Sequence, residues 1–191
     1  EMSQLKFYSI YLGLSLLFVI LWHVWPITSL MLFLLISAFH FGESQFADIS
    51  FQNIYRYLFY FFWGLCLLST LMFYNVSELF EITSFFDDTI VLDKIYNKGK
   101  IGIFFYLTNI VTIFSICILV YFNKINKDRL FSELFLLFLI HITFYLFPFI
   151  IGFTLYFVAL HSLKVMNDEF KFLKNEEKNF SLMKFLKLLA P

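Results

Sequence analysis

The sequence predicts an all-α membrane protein, a polytopic bundle of about six transmembrane helices, and three observations carry that expectation. Of the 191 residues, 61% are hydrophobic and only 15% are charged, against roughly a quarter charged in ordinary soluble domains. The chain holds 30 Phe and 11 Tyr, more aromatic surface than one soluble core buries. Mean hydropathy is +0.81, and the apolar residues fall in long runs separated by short polar stretches, the pattern of membrane spans. Lys plus Arg and Asp plus Glu balance at 14 each. No basic excess therefore points to a nucleic-acid partner; the partner implied is the lipid bilayer.

Residues 5–41 are almost wholly apolar. As one helix this run would extend about 55 Å at 1.5 Å per residue, well beyond a hydrocarbon core of about 30 Å. Pro26, in LWHVWPITS, supplies the break, because proline opens a helix comfortably and interrupts one badly. Two spans result, about 5–25 and 27–43, and a third covers about 53–74. Residues 75–100 carry Glu78, Glu81, Asp87, Asp88, Asp93, Lys94, Lys98 and Lys100 and belong outside the bilayer; within them VSELFEITSFF suits the interface. A fourth span follows at about 101–122, then a short basic loop, NKINKDR. Residues 130–166 repeat the first pattern with Pro148 as the break, giving spans of about 131–147 and 149–166. The tail, 167–191, is amphipathic and Lys-rich, with Phe170, Phe172, Leu173, Phe180, Leu182, Phe185 and Leu186 as a membrane-facing stripe. The whole of 1–191 reads as a single transmembrane domain.

With six spans, eleven of the fourteen basic residues gather on one side, the side that also carries both chain ends. By the positive-inside rule that side is cytoplasmic, and the expected location is the cell (inner) membrane, multi-pass. Cys66 and Cys117 each lie inside an apolar run without CxxC spacing and read as packing residues. The apolar stretch from Leu5 is too long for the h-region of a signal peptide. Because the chain begins at Glu1 rather than Met, either a residue was added before Met2 or the chain is a piece of a longer protein.

All four histidines, His23, His40, His141 and His161, lie in apolar runs, where an ionisable side chain is costly and normally faces the bundle interior. His40 follows Pro26, and His161 follows Pro148, by nearly the same number of residues, on helices running in the same direction. Both therefore lie about 20 Å along their helices, at one depth near the cytoplasmic ends. Two imidazoles at one level on inward-facing helices make the beginning of a metal site suited to iron, copper or zinc. Glu43, at i+3 from His40, shares its face and is placed to ligate or to orient an imidazole from behind; Ser162, beside His161, is a lesser candidate. The plainer reading, hydrogen-bonded spacers between helices, stays open for both. It is the favoured one for His141 and for His23, whose neighbours Trp22 and Trp25 suit an interfacial aromatic belt.

SAFHFGES (37–44), the upstream Leu21, Trp22 and Pro26, and GFTLYFVALHS (152–162) after Pro148 resemble the Brp/Blh family. These are bacterial and archaeal membrane β-carotene 15,15′-dioxygenases, and the resemblance runs over about residues 10–170. It implies an all-helical membrane bundle, Fe2+ held by histidines as cofactor, β-carotene and O2 as substrates, and two molecules of retinal as product. It also implies functional association with a retinal-binding rhodopsin. His40 matches the histidine of the family's HFG motif and His161 the first histidine of its HSxxH motif, so the resemblance makes these two the expected iron ligands.

The chain departs from the family at three places. Gln45 stands where the HFGxxD pattern has Asp, and Val165 stands where HSxxH has its second histidine. The family's earlier PHGxxD segment has no counterpart, which a leading helix missing from this chain would explain. Asp168 and Glu169, one helical turn beyond Val165, are candidate substitutes for the lost histidine. These departures keep a rival in view, a non-catalytic carotenoid- or retinal-binding membrane protein derived from the family. A transporter has little support, since no charged pair threads the spans, and the clustered HxxH boxes of lipid desaturases are absent from the sequence.

Overall fold

The computed structural model describes residues 4–49, 54–83, 97–177 and 180–189, and every element among them is helical. Helices α1 (Gln4–Val24) and α2 (Pro26–Phe46) are separated by Trp25 alone, whose φ of −137° and ψ of 73° leave the helical region while Pro26 opens the next helix. Helix α3 is Ile54–Tyr74 and α4 is Val76–Thr83. Helices α5 (Lys98–Tyr121) and α6 (Lys127–Leu146) each start on an asparagine. Asn97 accepts from the backbone N–H groups of Gly99 and Lys100, and Asn126 from that of Arg129, satisfying donors that a helix start leaves open. Beyond the end of α5, Asn123 adopts φ 54°, a left-handed conformation that asparagine tolerates better than most residues. Pro148 precedes α7 (Phe149–Leu155), which runs through a π-helical stretch, Tyr156–Ser162, into α8 (Leu163–Glu176). Helix α9, Leu182–Leu189, closes the described chain.

Among the described residues, five helices are long and apolar enough to cross a membrane: α2, α3, α5, α6 and the continuous Phe149–Glu176 helix. The first of the six expected spans contributes a shorter apolar stretch, Tyr8–Val24. The helix of the last expected span does not stop near residue 166 but continues to Glu176. No Gly or Pro stands between Gly152 and Pro191, so a change from apolar to amphipathic sequence alters what the helix faces without ending it. The tail's aromatic stripe is likewise divided. Phe180 and Phe185 are buried against each other and Phe170, where α9 folds back and Lys184 pairs with Glu177 at 2.5 Å. Phe172, Leu182 and Leu186 remain exposed. Much of the polar stretch after α4, with Asp87, Asp88, Asp93 and Lys94, lies outside the described residues.

Helix α3 is the centre of the bundle, with 56% of its span buried where no other candidate span exceeds 28%. It packs on α2, α5, α6 and α7. Its contact with α2 is made backbone to backbone: a Cβ at Gly64 would collide with the main chain of Ala38, and one at Gly42 with that of Tyr60. Small residues permit this approach where lipid offers no hydrophobic drive for association. The other seam of α3 is polar. Ser69 and Thr108 hydroxyls meet at 2.7 Å, and Cys66 Sγ donates to Asn109 Oδ1 at 3.3 Å. His141 on α6 bridges Asn109 Oδ1 (3.0 Å, through Nε2) and the Tyr74 hydroxyl (3.2 Å, through Nδ1). His141 is thus the hydrogen-bonded spacer that its position in the sequence suggests, tying α3, α5 and α6. Both cysteines are free thiols, Cys66 buried and Cys117 exposed.

Two outcomes follow for reversible unfolding in detergent. Gly64→Ala is expected to lose about 1–3 kcal/mol through overpacking against a backbone that cannot yield, whereas Gly13→Ala, in a helix interior and meeting nothing within 4 Å, is expected to hold or slightly raise the midpoint, because alanine favours a helix over glycine. Asn109→Ala takes the acceptor from the half-buried His141 Nε2 and from the buried Cys66 thiol and is expected to cost about 1–3 kcal/mol, the penalty for polar groups left without a partner away from water.

Candidate metal centre

The C-terminal turn of α2 is held by side chains from three other helices. A helix ends with carbonyls that lack intrahelical donors. Here Lys164 Nζ donates to Ser44 O at 2.6 Å, Arg129 Nη2 to Gln45 O at 2.9 Å, and the Tyr60 hydroxyl to Phe46 O at 2.9 Å. Two of these donors are cations at the negative end of the helix dipole, a favourable placement. Beside them Glu133 of α6 is buried, 2% exposed. Its two carboxylate oxygens each accept from Gln45 Nε2 at 3.0 Å, and Arg129 Nε lies 2.7 Å away. A buried carboxylate persists only when paired in this way. Arg129 also reaches Asp48 at 3.4 Å.

One turn back along α2, His40 meets His161 with ring centroids 5.6 Å apart and planes at 71°. The two imidazoles expected at one depth are thus brought together. His161 is buried, 8% exposed, while His40 lies on the exposed side of the described bundle. Aromatic rings surround His161: Phe41 stands edge-on at 5.2 Å, Phe157 stacks at 5.3 Å, and Tyr156 lies at 6.3 Å. Ser44 Oγ is 3.2 Å from His161 Nδ1. The π-helical winding of Tyr156–Ser162 carries this histidine. Such local over-widening is uncommon and recurs at functional sites.

The remaining candidates fall elsewhere. Glu43 is exposed, and among the described residues no hydrogen bond joins it to His40 or His161. Ser162 is half-buried, and no hydrogen bond joins it to His161 among the described residues. Asp168 is ion-paired with Lys164 at 2.9 Å, and Glu169 is exposed. His23 is exposed at the end of α1. Sequence reasoning missed Ser44 and Glu133. The signal for Ser44 was its i+4 spacing from His40, which sets both on one face. For Glu133 it was an acid four residues after Arg129 at the start of an apolar helix.

Two neutral imidazoles suit iron, copper or zinc. With Nδ1 of His161 engaged by Ser44, its Nε2 is the nitrogen left for a ligand, so the pair fits two positions of such a centre. Among the described residues no group of three or more His, Cys, Asp or Glu side chains comes together; further donors would come from water, substrate or residues outside those described. A separate apolar groove of about 360 Å³ lies between α2, α3 and α5, lined by residues that include Met31, Leu34, Leu68, Met72 and Phe104. At about 100° per residue, His40 projects from the opposite side of α2 to Met31, so this groove is not the chamber of the histidine pair.

No curated protein and no solved structure matches this chain. A family model, described as beta-carotene 15,15′-dioxygenase, matches residues 2–191. A bundle whose described elements are all helical, with apolar membrane-length helices, and a family match over residues 2–191 lead to one conclusion: the chain belongs to the β-carotene 15,15′-dioxygenase family.

Proposed function

We propose that this chain, multi-pass in the cell (inner) membrane, cleaves β-carotene at its central 15,15′ double bond. One O2 is consumed: the double bond breaks, each of its two carbons takes one oxygen atom, and two retinal molecules result. The observation that carries the reading is the meeting of His40 and His161 at 5.6 Å, in a chain whose family match covers residues 2–191. Activation of O2 is the chemistry that a non-haem iron(II) supplies when bound, and His40 and His161 are the residues that would hold it. Phe41, Tyr156 and Phe157 give His161 an apolar wall, which keeps water from the reacting polyene and offers ring faces for it to pack on. His40 lies on the exposed side of the described bundle, so a lipid-dissolved hydrocarbon reaches it laterally without crossing water. Retinal released into the same lipid suits a retinal-binding rhodopsin as its acceptor.

A second reading, a carotenoid- or retinal-binding protein without catalysis, is favoured by one observation: the two imidazoles have no third His, Cys, Asp or Glu beside them among the described residues. Expression in β-carotene-accumulating bacteria separates the two. Retinal by chromatography and iron per chain by elemental analysis are the readouts. The enzyme reading expects both in the wild type, both lost in His40→Ala and His161→Ala, and both kept in His23→Ala. Retinal persisting in His40→Ala overturns the site. Bound pigment with neither retinal nor iron favours the binding protein.

A further inference from the structure

We infer that Ser44 is the positioning residue of this centre: its hydroxyl accepts a hydrogen bond from Nδ1–H of His161 and so fixes the tautomer that leaves Nε2 to ligate. The inference rests on the reading of His40 and His161 as metal ligands. A histidine that binds through one nitrogen carries its proton on the other, and the group receiving that proton's hydrogen bond sets both tautomer and ring orientation. Ser44 Oγ stands 3.2 Å from His161 Nδ1. Of the other rings around it, Phe41 and Phe157 offer no acceptor, and among the described residues no hydrogen bond joins His161 to His40 or to the Tyr156 hydroxyl.

Ser44 is itself held in place. Lys164, three residues after His161, donates through Nζ to the Ser44 carbonyl at 2.6 Å. The turn of α2 and the helix bearing His161 therefore touch at two points of one residue, through its hydroxyl and its carbonyl. The adjoining Gln45 is clamped by Glu133 and Arg129, so the backbone that aims the hydroxyl has no freedom to turn. Because a serine hydroxyl sits one bond from Cβ, its position follows the backbone through three staggered choices. One turn of α2 thus supplies a ligand, His40, and four residues on the orienting group for the other.

The test uses the full chain in detergent, labelled with 15N-histidine, and Co2+ alone as an optical probe of the site. Wild type is expected to show His161 protonated on Nδ1. Ser44→Ala is expected to lose that preference and to bind Co2+ about 10- to 100-fold more weakly, the usual effect of removing such a partner. Ser44→Thr, which keeps the hydroxyl, restores both, and the thermal midpoints of all three agree. Wild-type His161 protonated on Nε2, or Ser44→Ala binding Co2+ as tightly as wild type, overturns the inference. Co2+ affinity unchanged in both His40→Ala and His161→Ala, or no Co2+ bound by wild type, overturns the metal reading beneath it and the inference with it.

Discussion

Capture of the last carbonyls of α2 is the constraint on which the rest of the arrangement depends. In an apolar surrounding an unsatisfied backbone carbonyl costs several kcal/mol, so a helix end must find donors or reach water. The end of α2 finds Lys164 from α8, Arg129 from α6 and Tyr60 from α3. Each bond sets one helix relative to α2. The bond from Lys164 matters most for function, because Lys164 lies one turn beyond His161 and anchors that helix where its imidazole meets His40.

The same turn explains the glycine of the HFG motif by packing. Gly42 gives α2 room against the main chain of Tyr60, and Tyr60 in turn donates its hydroxyl to Phe46 O. A side chain at position 42 would push away the residue that caps the helix four residues later. Gly64 and Ala38 repeat the close approach about one turn toward the other membrane face. The motif thus combines a ligand candidate with the small residue that lets its helix sit flush on the centre of the bundle.

Polar groups inside the bundle form two layers of different character. The layer around His141 contains Tyr74, Asn109, Cys66, Thr70, Ser69 and Thr108, all neutral hydrogen-bonding groups. The layer at the end of α2 contains formal charges: Arg129, Glu133, Asp48, Lys164 and Asp168. Burial of charge grows more costly with depth in the membrane, so the mid-bundle seam joins helices with uncharged groups and leaves ions to the helix ends. His161 stands between these regimes, close enough to Ser44 for a hydrogen bond and otherwise ringed by aromatic side chains.

What the sequence determined by itself was whatever local chemistry decides. Hydropathy against the thickness of lipid makes the chain helical and membrane-length in its spans. Pro26 and Pro148 break the long apolar runs because their rings forbid an uninterrupted helix. The fixed rise per residue then puts His40 and His161 at one depth, which the 5.6 Å contact bears out. Only the tertiary structure decided which side chain faces which across helices. Ser44 rather than Ser162 meets His161, Glu43 lies exposed without a hydrogen bond to either imidazole among the described residues, and Glu133 arrives from α6 to hold Gln45. The continuation of the last helix to Glu176 and the π-helical winding around His161 belong to the same class. Spacing along a chain sets height and phase within one helix, but contacts between helices depend on their relative rotation and lateral placement. Those were fixed here by glycine-permitted backbone contact and by the donors that reached the end of α2.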